Sequence, residues 1–427
     1  MQKVTDQTSI VKILMVTVNF YTRSDYYIPI IRPHKNRNMR VSVCLFVFLL
    51  IIISCKNEEN QSDFEKIPHY SSSVSLIDNI HLDSIRLDSI VSSYTGELAI
   101  WKDTIFFVDS YFGYVNKFNQ KGHFIERTLG QGKGPKEINI KYIDGINFKK
   151  DGQKVFLGSS NDAYVFGPDW EFRQLLNINW HRIPDGDKIF NEKKPSGDEI
   201  GLYTFEWENL IIRSFEDHIY VPIYSQHEYF NAFRSKDYYL NGRILAEISL
   251  KNGRVNKIFG RRSPMYLQYK YLGQHSFFSY DMNSNQEFYV NHEIDPKIYV
   301  YSLSGDLIYS FGISGKDMDT SYTQFQLDGD IYNEANGNKI RDMYFENRPT
   351  KGYYTYLKCI GSNTFRSYRR GGHSSNDGLQ IYEDRVLIGD IDVPKTFRVI
   401  GKIDDYIYGC VDIDEINERI LLYRFQI

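Results

Sequence analysis

The sequence predicts an all-β fold, a β-propeller of four-stranded antiparallel blades, with six blades expected and five or seven left open. The first observation is a repeating unit, clearest at residues 286–312, in which short aromatic and β-branched runs alternate with polar turns. The second is that weaker copies of this unit recur along the chain. The third is that no long stretch carries apolar residues at helical spacing. Radial stacking of such sheets buries both faces of each one and leaves few free edges.

The composition is that of a globular protein with an ample core. Of 427 residues, 42% are hydrophobic and 15% aromatic. Tyr and Phe side chains fill the space between stacked sheets, so core packing is favoured over a sugar-stacking surface. Net charge is −3, but residues 1–54 carry seven Lys and Arg against two Asp, which leaves −8 on the remainder. An acidic body argues against nucleic acid as a partner.

A lipoprotein leader is predicted immediately before Cys55. Met39-Arg40 precedes an apolar run of 13 residues at 41–53, shorter than the roughly 18 needed to span a bilayer, so a signal peptide is favoured over a transmembrane helix. Residues 52–55 (Ile-Ile-Ser-Cys) resemble a bacterial lipobox, which implies cleavage before Cys55 and lipidation of that residue. Several acyl chains on one cysteine give stable membrane anchoring.

The leader divides the chain into four predicted segments. Residues 1–38 are too long for an n-region, so translation is expected to start at Met39 and these residues to lie outside the fold. Residues 39–54 are the signal peptide, and residues 55–73 are the lipidated cysteine with a polar tether. Residues 74–427 form one propeller domain, since no linker rich in Pro, Gly or Ser divides them.

The tether carries acidic residues directly after the cysteine. This resembles the signal that sends Bacteroidetes lipoproteins to the outer cell surface, and a plain solvated linker is the alternative. The expected location is therefore the outer membrane, at the cell surface or the periplasmic face. Among the other cysteines, Cys44 lies in the leader. Cys359 and Cys410 are expected as free thiols, with a disulfide between them as the alternative.

Six units are predicted, each with an aromatic or β-branched strand followed by a polar loop. Equivalent strands lie near residues 107, 156, 220, 289, 355 and 408. The third unit contains a long insertion, and the fifth is the most degenerate. One or two strands at 74–76 and 80–87 precede the first unit, and the strand before that unit is expected to complete the last blade and close the ring. The predicted strands of the units are 105–109, 114–119 and 124–129; 155–158, 163–166 and 172–177; 219–222, 244–250 and 255–259; 277–280, 287–290, 297–301 and 306–311; 353–360, 364–368 and 386–389; 406–411 and 420–425.

Three features together resemble the six-bladed β-propeller lipoproteins of Bacteroidetes. They are the lipobox, the blade rhythm and the Gly-Gln-Gly-Lys-Gly-Pro-Lys-Glu loop at 130–137, where that family carries a similar Gly-x-Gly-x-Gly-Pro-x-Glu loop. The stretches 365–368 and 378–382 are also similar to uncharacterised members. The resemblance covers most of residues 74–427 and implies the fold and the location. It brings no assigned reaction.

The loop at 130–137 is not expected to bind a nucleotide. A phosphate-binding loop requires Lys-Ser/Thr opening a helix, whereas Lys133 is followed by Gly-Pro and then a strand-like alternation. Its glycines are expected to allow a tight crossing with positive φ between blades. No cofactor is predicted, and no Cys/His spacing indicates zinc.

Ligand binding is expected at one face of the disc, which we call the mouth. Connections between blades and loops between second and third strands emerge there together, and such convergent loops commonly carry binding sites. The loops at 161–162, 227–228 and 412–415 share this face. Candidate ligand-binding residues in the mouth loops are Asp109, Lys133, His292, Glu293 and Asp295.

Residues 292–295 also suggest metal or acid–base chemistry, because a histidine and two carboxylates occur together. Adjacent residues on an extended segment point in opposite directions, however, so His292 and Glu293 would not face one ion. Ordinary loop polarity is therefore favoured. Residues 412–415 lack the Gly and the distal Glu of a calcium loop.

A further candidate lies on one predicted strand. Arg366, Tyr368 and Arg370 would share a face and could hold a carboxylate or an acidic sugar. The favoured alternative is an exposed strand whose arginines pair with Asp390 and Asp392.

The leading functional prediction is a non-catalytic module that binds a glycan, a peptide or a protein. No Gly-x-Ser-x-Gly elbow and no sialidase Asp box is found in the sequence. The rival class is a hydrolase or lyase acting on a carbohydrate or lactone. Buried His and carboxylate groups around the channel would favour the enzyme, and exposed Tyr, Trp and Arg would favour binding. A structural component of an envelope assembly would instead show an apolar patch.

Overall fold

Six small antiparallel sheets succeed one another along the chain and enclose an axial channel. The computed structural model describes residues 59–427 apart from 78, 135, 159–160, 182–190, 234, 270–271 and 325–333. Residues 59–427 form one compact unit. The predicted start site, the signal peptide and Cys55 lie outside the described residues. The six-bladed β-propeller expected from the sequence is confirmed.

An N-terminal segment precedes the blades and comprises α1 (Glu59–Lys66), β1 (His69–Tyr70), β2 (Ser73–Ile77) and β3 (Asp83–Arg86). Blades 1 to 3 follow, with strands β4 (Gly96–Trp101), β5 (Thr104–Asp109), β6 (Val115–Phe118) and β7 (Phe124–Thr128); β8 (Ile143–Phe148), β9 (Lys154–Gly158), β10 (Asp162–Phe166) and β11 (Phe172–Asn177); β12 (Tyr203–Phe205), β13 (Arg213–Phe215), β14 (His218–Ser225), β15 (Leu245–Ser249) and β16 (Val255–Phe259). A short helix, α2 (Lys236–Asn241), lies in the insertion of blade 3.

Blades 4 to 6 follow, and a second long insertion, which contains α3 (Glu334–Thr350), lies between blade 4 and blade 5. Their strands are β17 (Phe278–Met282), β18 (Phe288–His292), β19 (Ile298–Tyr301) and β20 (Leu307–Phe311); β21 (Lys351–Ile360), β22 (Asn363–Gly371), β23 (Asp377–Glu383) and β24 (Val386–Val393); β25 (Arg398–Ile403), β26 (Tyr406–Cys410) and β27 (Leu421–Phe425). No helix in the described part of the chain is long and apolar enough to span a bilayer.

The N-terminal segment runs along the outer edges of three blades. β1 pairs in parallel with β20 of blade 4, and β2 pairs in parallel with β24 of blade 5. β3 pairs antiparallel with β27 and supplies the fourth strand of blade 6. The expected closure of the ring by a strand from before blade 1 is therefore confirmed. Covering an edge in this way removes unpaired backbone groups that would otherwise recruit other strands.

Residues 59–73 belong to this wrapped segment, so the propeller unit begins earlier than the boundary at 74 placed from sequence. α1 packs its Phe64 ring edge-on against Tyr299, with ring centroids 5.1 Å apart. Asp63 approaches Arg261 at 3.5 Å. An aromatic anchor and an ion pair hold the helix on the propeller.

The core lies between neighbouring blades, where large rings from facing sheets interlock. Between blades 1 and 2, Phe106 contacts Phe148 at a centroid distance of 4.6 Å and Trp170 at 6.2 Å. Between blades 3 and 4, Tyr220 contacts Phe288 at 4.7 Å. The abundant aromatic residues therefore serve packing for the most part, as the composition predicts.

Blade 5 differs most from its sequence-based prediction. Its sequence repeat is the most degenerate of the six. Its four strands nevertheless have 10, 9, 7 and 8 residues, and taken together they are longer than those of any other blade among the described residues. The prediction omitted β23 because polar residues interrupt the apolar pattern. Gln380 and Asp390, on β23 and β24, are buried in a hydrogen-bonded network.

Candidate functional site

The axial channel is a cavity of about 620 Å³. Its wall includes a residue on, or next to, the innermost strand of every blade: Glu97, Asp144, Arg213, Phe277, Tyr356 and Arg398. The side chains reach the channel because alternate residues of a strand face alternate sides of the sheet. Charges of both signs therefore converge on the axis.

Two carboxylates in the wall resist ionisation. Enclosure by the blades raises the pKa of Glu97 to about 7, although Arg398 and Arg213 favour its charged form. Desolvation raises the pKa of Asp144 to about 6. The Glu97 side chain is surrounded by protein but is exposed to the channel itself, so water or a ligand in the channel can reach it. Both groups change protonation near neutral pH, where they can bind or exchange protons.

The arginines of the wall are paired with acidic residues. Arg213 donates to Asp281, which also lies 3.4 Å from Lys358 Nζ and accepts the Cys359 N–H at 2.8 Å. These contacts join blades 3, 4 and 5 around the channel. Arg398 is 3.2 Å from Asp412, whose loop lies at the mouth.

A second charged cluster lies where the channel opens at the mouth. Arg348, near the end of α3, donates to Glu293 at 2.6 Å, and His275 Nδ1 lies 3.5 Å from the other Glu293 oxygen. The Arg348 guanidinium covers the Tyr353 ring at 4.2 Å. Thus α3, which the sequence did not reveal, contributes a charged residue to the mouth.

Several polar atoms of the channel have no hydrogen-bond partner among the described residues. They include Asp144 Oδ2 and Arg213 Nη2, both of which are buried. A buried polar group without a partner costs about 1–3 kcal/mol, and such groups in native proteins require an explanation. Water or a ligand in the channel can supply the missing partners.

The candidates predicted from the mouth loops fall into different environments. Asp109 is buried and accepts hydrogen bonds from Ser93 N, Tyr111 N and Phe112 N at 2.6, 3.0 and 2.8 Å, which fixes its own loop. Asp295 accepts from the Tyr299 hydroxyl at 2.7 Å and is likewise buried. Neither carboxylate faces the channel.

His292, Glu293 and Lys133 are not brought together. His292 packs in the blade interior against the rings of Tyr266 and Tyr299, at centroid distances of 6.0 and 5.9 Å, and burial lowers its pKa to about 3. Glu293 points instead to the channel mouth, in the direction opposite to His292, as an extended chain requires. Lys133 is exposed on the loop at 130–137 and is absent from the channel wall.

The three residues predicted as a ligand clamp share a face of β22 but are all buried. Arg366 donates to Pro296 O and Ile313 O at 2.7 and 2.6 Å, which ties blade 5 to the chain leaving blade 4. Tyr368 donates to Asp390 at 2.6 Å, and Arg370 donates to Asp392 at 2.7 Å. Arg370 therefore pairs with Asp392 as expected, whereas Asp390 accepts from Tyr368 and not from an arginine. The strand is buried, so the expectation of an exposed strand is wrong.

The loop at 130–137 has the positive φ values expected of its glycines, 156° at Gly130 and 157° at Gly132. Glu137 folds back and accepts the Gly134 N–H at 2.6 Å. A Cβ on Gly132 would lie 2.0 Å from Glu137 Oε2. The glycines therefore shape the crossing between blades 1 and 2.

No group of three or more His, Cys, Asp or Glu residues in the described parts of the chain is arranged to hold a metal ion. Cys359 and Cys410 are free thiols. Burial raises the pKa of both.

No protein-family model matches the sequence, and no match was found among curated proteins. Solved propellers align over most of the chain. A candidate exported protein of Bacteroides fragilis is 13% identical with a TM-score of 0.48, covering 85% of this chain and 100% of its own. An inactive virginiamycin B lyase from Staphylococcus aureus, solved with quinupristin, is 12% identical with a TM-score of 0.39, covering 81% and 100%.

A third similar structure is PorZ, a surface component of the type-IX secretion system of Porphyromonas gingivalis. It is 9% identical with a TM-score of 0.36, and the alignment covers 77% of this chain but 33% of PorZ. At such identities the similarity concerns the fold alone, so function is argued below from the residues of this chain.

Proposed function

We propose that this protein is a lipid-anchored propeller of the bacterial envelope that binds a polar ligand at the mouth of its axial channel. The ligand class is a glycan, a peptide or a partner protein. The observation that carries the proposal is the channel wall itself, where ionisable groups from every blade face a cavity and some of their atoms lack partners among the described residues.

The charge pattern of the wall favours a ligand with both donors and acceptors. Arg213 and Arg398 are matched by Asp281 and Asp412, so a purely anionic ligand would have to displace existing partners. Glu97 and Asp144 offer acceptors when ionised and donors when protonated. A ligand rich in hydroxyl or amide groups can satisfy both kinds of atom.

The location is proposed from the leader. A short apolar run ending at Cys55 supports export and lipidation, and acidic residues after the cysteine support placement on the cell surface.

A thermal-shift screen of the full-length protein in a non-glycosidic detergent tests binding. The probes are neutral and acidic glycans, peptidoglycan fragments and divalent metals, the last with and without chelator. A ligand well above its dissociation constant stabilises the fold by a few kcal/mol. A shift that is lost in Glu97→Gln or Asp144→Asn supports the proposal. A shift that survives both substitutions contradicts the assignment of the site to the channel.

A second candidate function, acid–base chemistry on a carbohydrate or lactone, is favoured by one observation. The pKa values of Glu97 and Asp144 lie at about 7 and 6, which suits one protonated and one ionised carboxyl group near neutral pH. Incubation of the bound ligand with the protein, followed by mass spectrometry, distinguishes the two functions. Turnover that is lost in Glu97→Gln supports the enzyme, and an unchanged ligand supports binding.

A further inference from the structure

A second cavity of about 780 Å³ opens beside the axial channel, and we call it the aromatic cleft. Four segments surround it: the chain between β12 and β13, the insertion between β14 and β15, the connection from β16 to β17, and α3. It shares Trp207, Glu208 and Phe277 with the channel wall. Its volume falls within the range of roughly 300–1,000 Å³ typical of small-molecule sites.

Exposed aromatic rings line one side of the cleft. Phe345, Tyr344 and Phe233 are 64%, 42% and 37% exposed. The rings of Tyr344 and Phe345 meet at 85° with centroids 5.6 Å apart, so they present two flat surfaces at a right angle. α3 buries Met343 and Asn347, while Tyr344 and Phe345 of the same helix line the cleft.

Polar groups line the cleft together with these rings. Gln274 is only 3% exposed, and among the described residues neither its side-chain oxygen nor its nitrogen has a hydrogen-bond partner. An amide left without partners costs about 1–3 kcal/mol for each group. Because Gln274 lines the cleft, a molecule bound there would supply both a donor and an acceptor.

Two carboxylates, those of Glu206 and Glu208, also line the cleft. Glu206 is 8% exposed, and Glu208 is exposed. Burial raises the pKa of Glu206 to about 7. The positive charge of Arg262 opposes this rise but does not cancel it. Arg262 directs its donors to Ser276 O and to the Tyr238 hydroxyl. The Glu206 carboxylate accepts a backbone hydrogen bond at Glu208 and retains acceptor sites for a ligand.

Charges of both signs surround the cleft. Arg341, Glu206 and Glu208 line it, and Arg262, which is buried and does not line it, is close enough to Glu206 to oppose the rise in its pKa, so neither a cation nor an anion gains a large net attraction. A neutral ligand fits this balance if it carries hydroxyl groups for the amide and the carboxylates and apolar C–H faces for the rings. Carbohydrates combine these properties, since their hydroxyls both donate and accept and their ring faces pack on aromatic side chains.

We propose that the aromatic cleft binds a neutral oligosaccharide, with its sugar rings on Tyr344 and Phe345 and its hydroxyls on Gln274 and Glu206. The proposal rests on the proposed function in that both place a ligand at the mouth, and it names the ligand class. A chain bound in the cleft could extend past Trp207 into the axial channel.

The test is titration of full-length protein, in a non-glycosidic detergent, with malto-, cello-, manno- and xylo-oligosaccharides, followed by calorimetry and tryptophan fluorescence. Gln274→Leu keeps the side-chain volume and removes both unpartnered groups. We expect it to weaken binding about tenfold or more while leaving the thermal midpoint unchanged or higher. Phe345→Ala should also weaken binding about tenfold, and the matched control Phe124→Ala, on an outer strand and 41% exposed, should have no effect.

The outcomes separate this inference from the proposed function. Binding of a neutral oligosaccharide that Gln274→Leu and Phe345→Ala both weaken supports the cleft. Binding that responds only to Glu97→Gln overturns the cleft and leaves a ligand in the channel. If every neutral oligosaccharide fails while a charged probe such as a polyamine or a peptide binds, the carbohydrate assignment is overturned but a binding function stands. If no probe binds, both are overturned.

Discussion

Asp281 is expected to be the acid on which the stability of the channel most depends. Its carboxylate is buried and contacts Arg213 of blade 3, Lys358 of blade 5 and the backbone N–H of Cys359. Burial alone would raise the pKa of Asp281, but Arg213 and Lys358 outweigh it and the pKa is lowered. Removal of its charge would therefore leave two cations around the channel without their partner.

The expected magnitude follows from the burial of this pair. Asp281→Asn keeps the shape of the side chain, so no cavity forms, but an ion left unpaired in the interior costs about 3–5 kcal/mol. With an unfolding entropy of about 2.1 cal/mol/K per residue over residues 59–427, each kcal/mol corresponds to about 1.3 °C. Thermal unfolding followed by circular dichroism at pH 7 should show a fall of about 4–6 °C.

The matched control is Asp217→Asn in blade 3. Asp217 pairs with Lys251 at 3.1 Å, and both side chains are exposed, so solvent can solvate Lys251 when its partner loses its charge. The thermal midpoint of this variant should stay close to that of the wild type. Equal shifts for the two variants, or a fall below about 1 °C for Asp281→Asn, would refute the reasoning about the buried pair.

Three further predictions concern pH, blade packing and lipidation. The raised pKa of Glu97 favours its neutral form in the folded protein, so ionisation of this group costs stability as pH rises from about 4.5 to 7. Glu97→Gln should therefore raise the thermal midpoint by about 1 °C above pH 7 and leave it unchanged at pH 4. This value is smaller than the full pKa shift would give, because the side chain faces channel water. Arg366→Ala strands the acceptors Pro296 O and Ile313 O at about 1–3 kcal/mol each, so calorimetry should show a midpoint several degrees lower with ligand affinity unchanged. Cells fed labelled palmitate should label the wild type but not Cys55→Ala, which should leave the membrane fraction.

Each of these has an outcome that contradicts it. A Glu97→Gln effect equal at pH 4 and pH 8 would show that the carboxylate is not strained by enclosure. Loss of ligand affinity in folded Arg366→Ala would restore that arginine to the binding site. Continued labelling of Cys55→Ala would exclude the predicted lipidation.

The sequence predicts the outer strands of most blades well because their signals are local. A turn containing Ser304, Gly305 and Asp306 separates the runs Ile298–Tyr301 and Leu307–Phe311, and side chains buried between blades keep such runs apolar. Innermost strands are harder to find. Gly96–Trp101 and Arg398–Ile403 place Glu97 and Arg398 in the channel, and these polar residues interrupt the apolar pattern.

The helix α3 escaped prediction for a related reason. Its described buried residues are Asn336, Met343 and Asn347, and two of these three are polar, so no apolar stripe marks the helix. Asn347 instead exchanges hydrogen bonds with the backbone of Thr323 at 2.7 and 2.8 Å. A polar docking contact of this kind leaves no periodic signal in the sequence.

The candidate site could be placed on a face but not assigned to residues. Topology alone identifies the mouth, and Glu293 reaches it as expected. Asp109 and Asp295 are instead used within their own loops, and His292 within the blade. Glu97 and Asp144 come from different blades, so only the folded ring brings them to the same channel.

The central claim is that a ligand binds at the mouth, in the axial channel and the aromatic cleft. The most direct measurement is a crystal structure of the full-length protein with the ligand that gives the largest thermal shift. The account predicts that this ligand contacts Gln274 or Phe345 in the cleft, or Glu97 or Asp144 in the channel. A ligand bound on the rim of the disc or at its opposite face, with the mouth holding water alone, would contradict it.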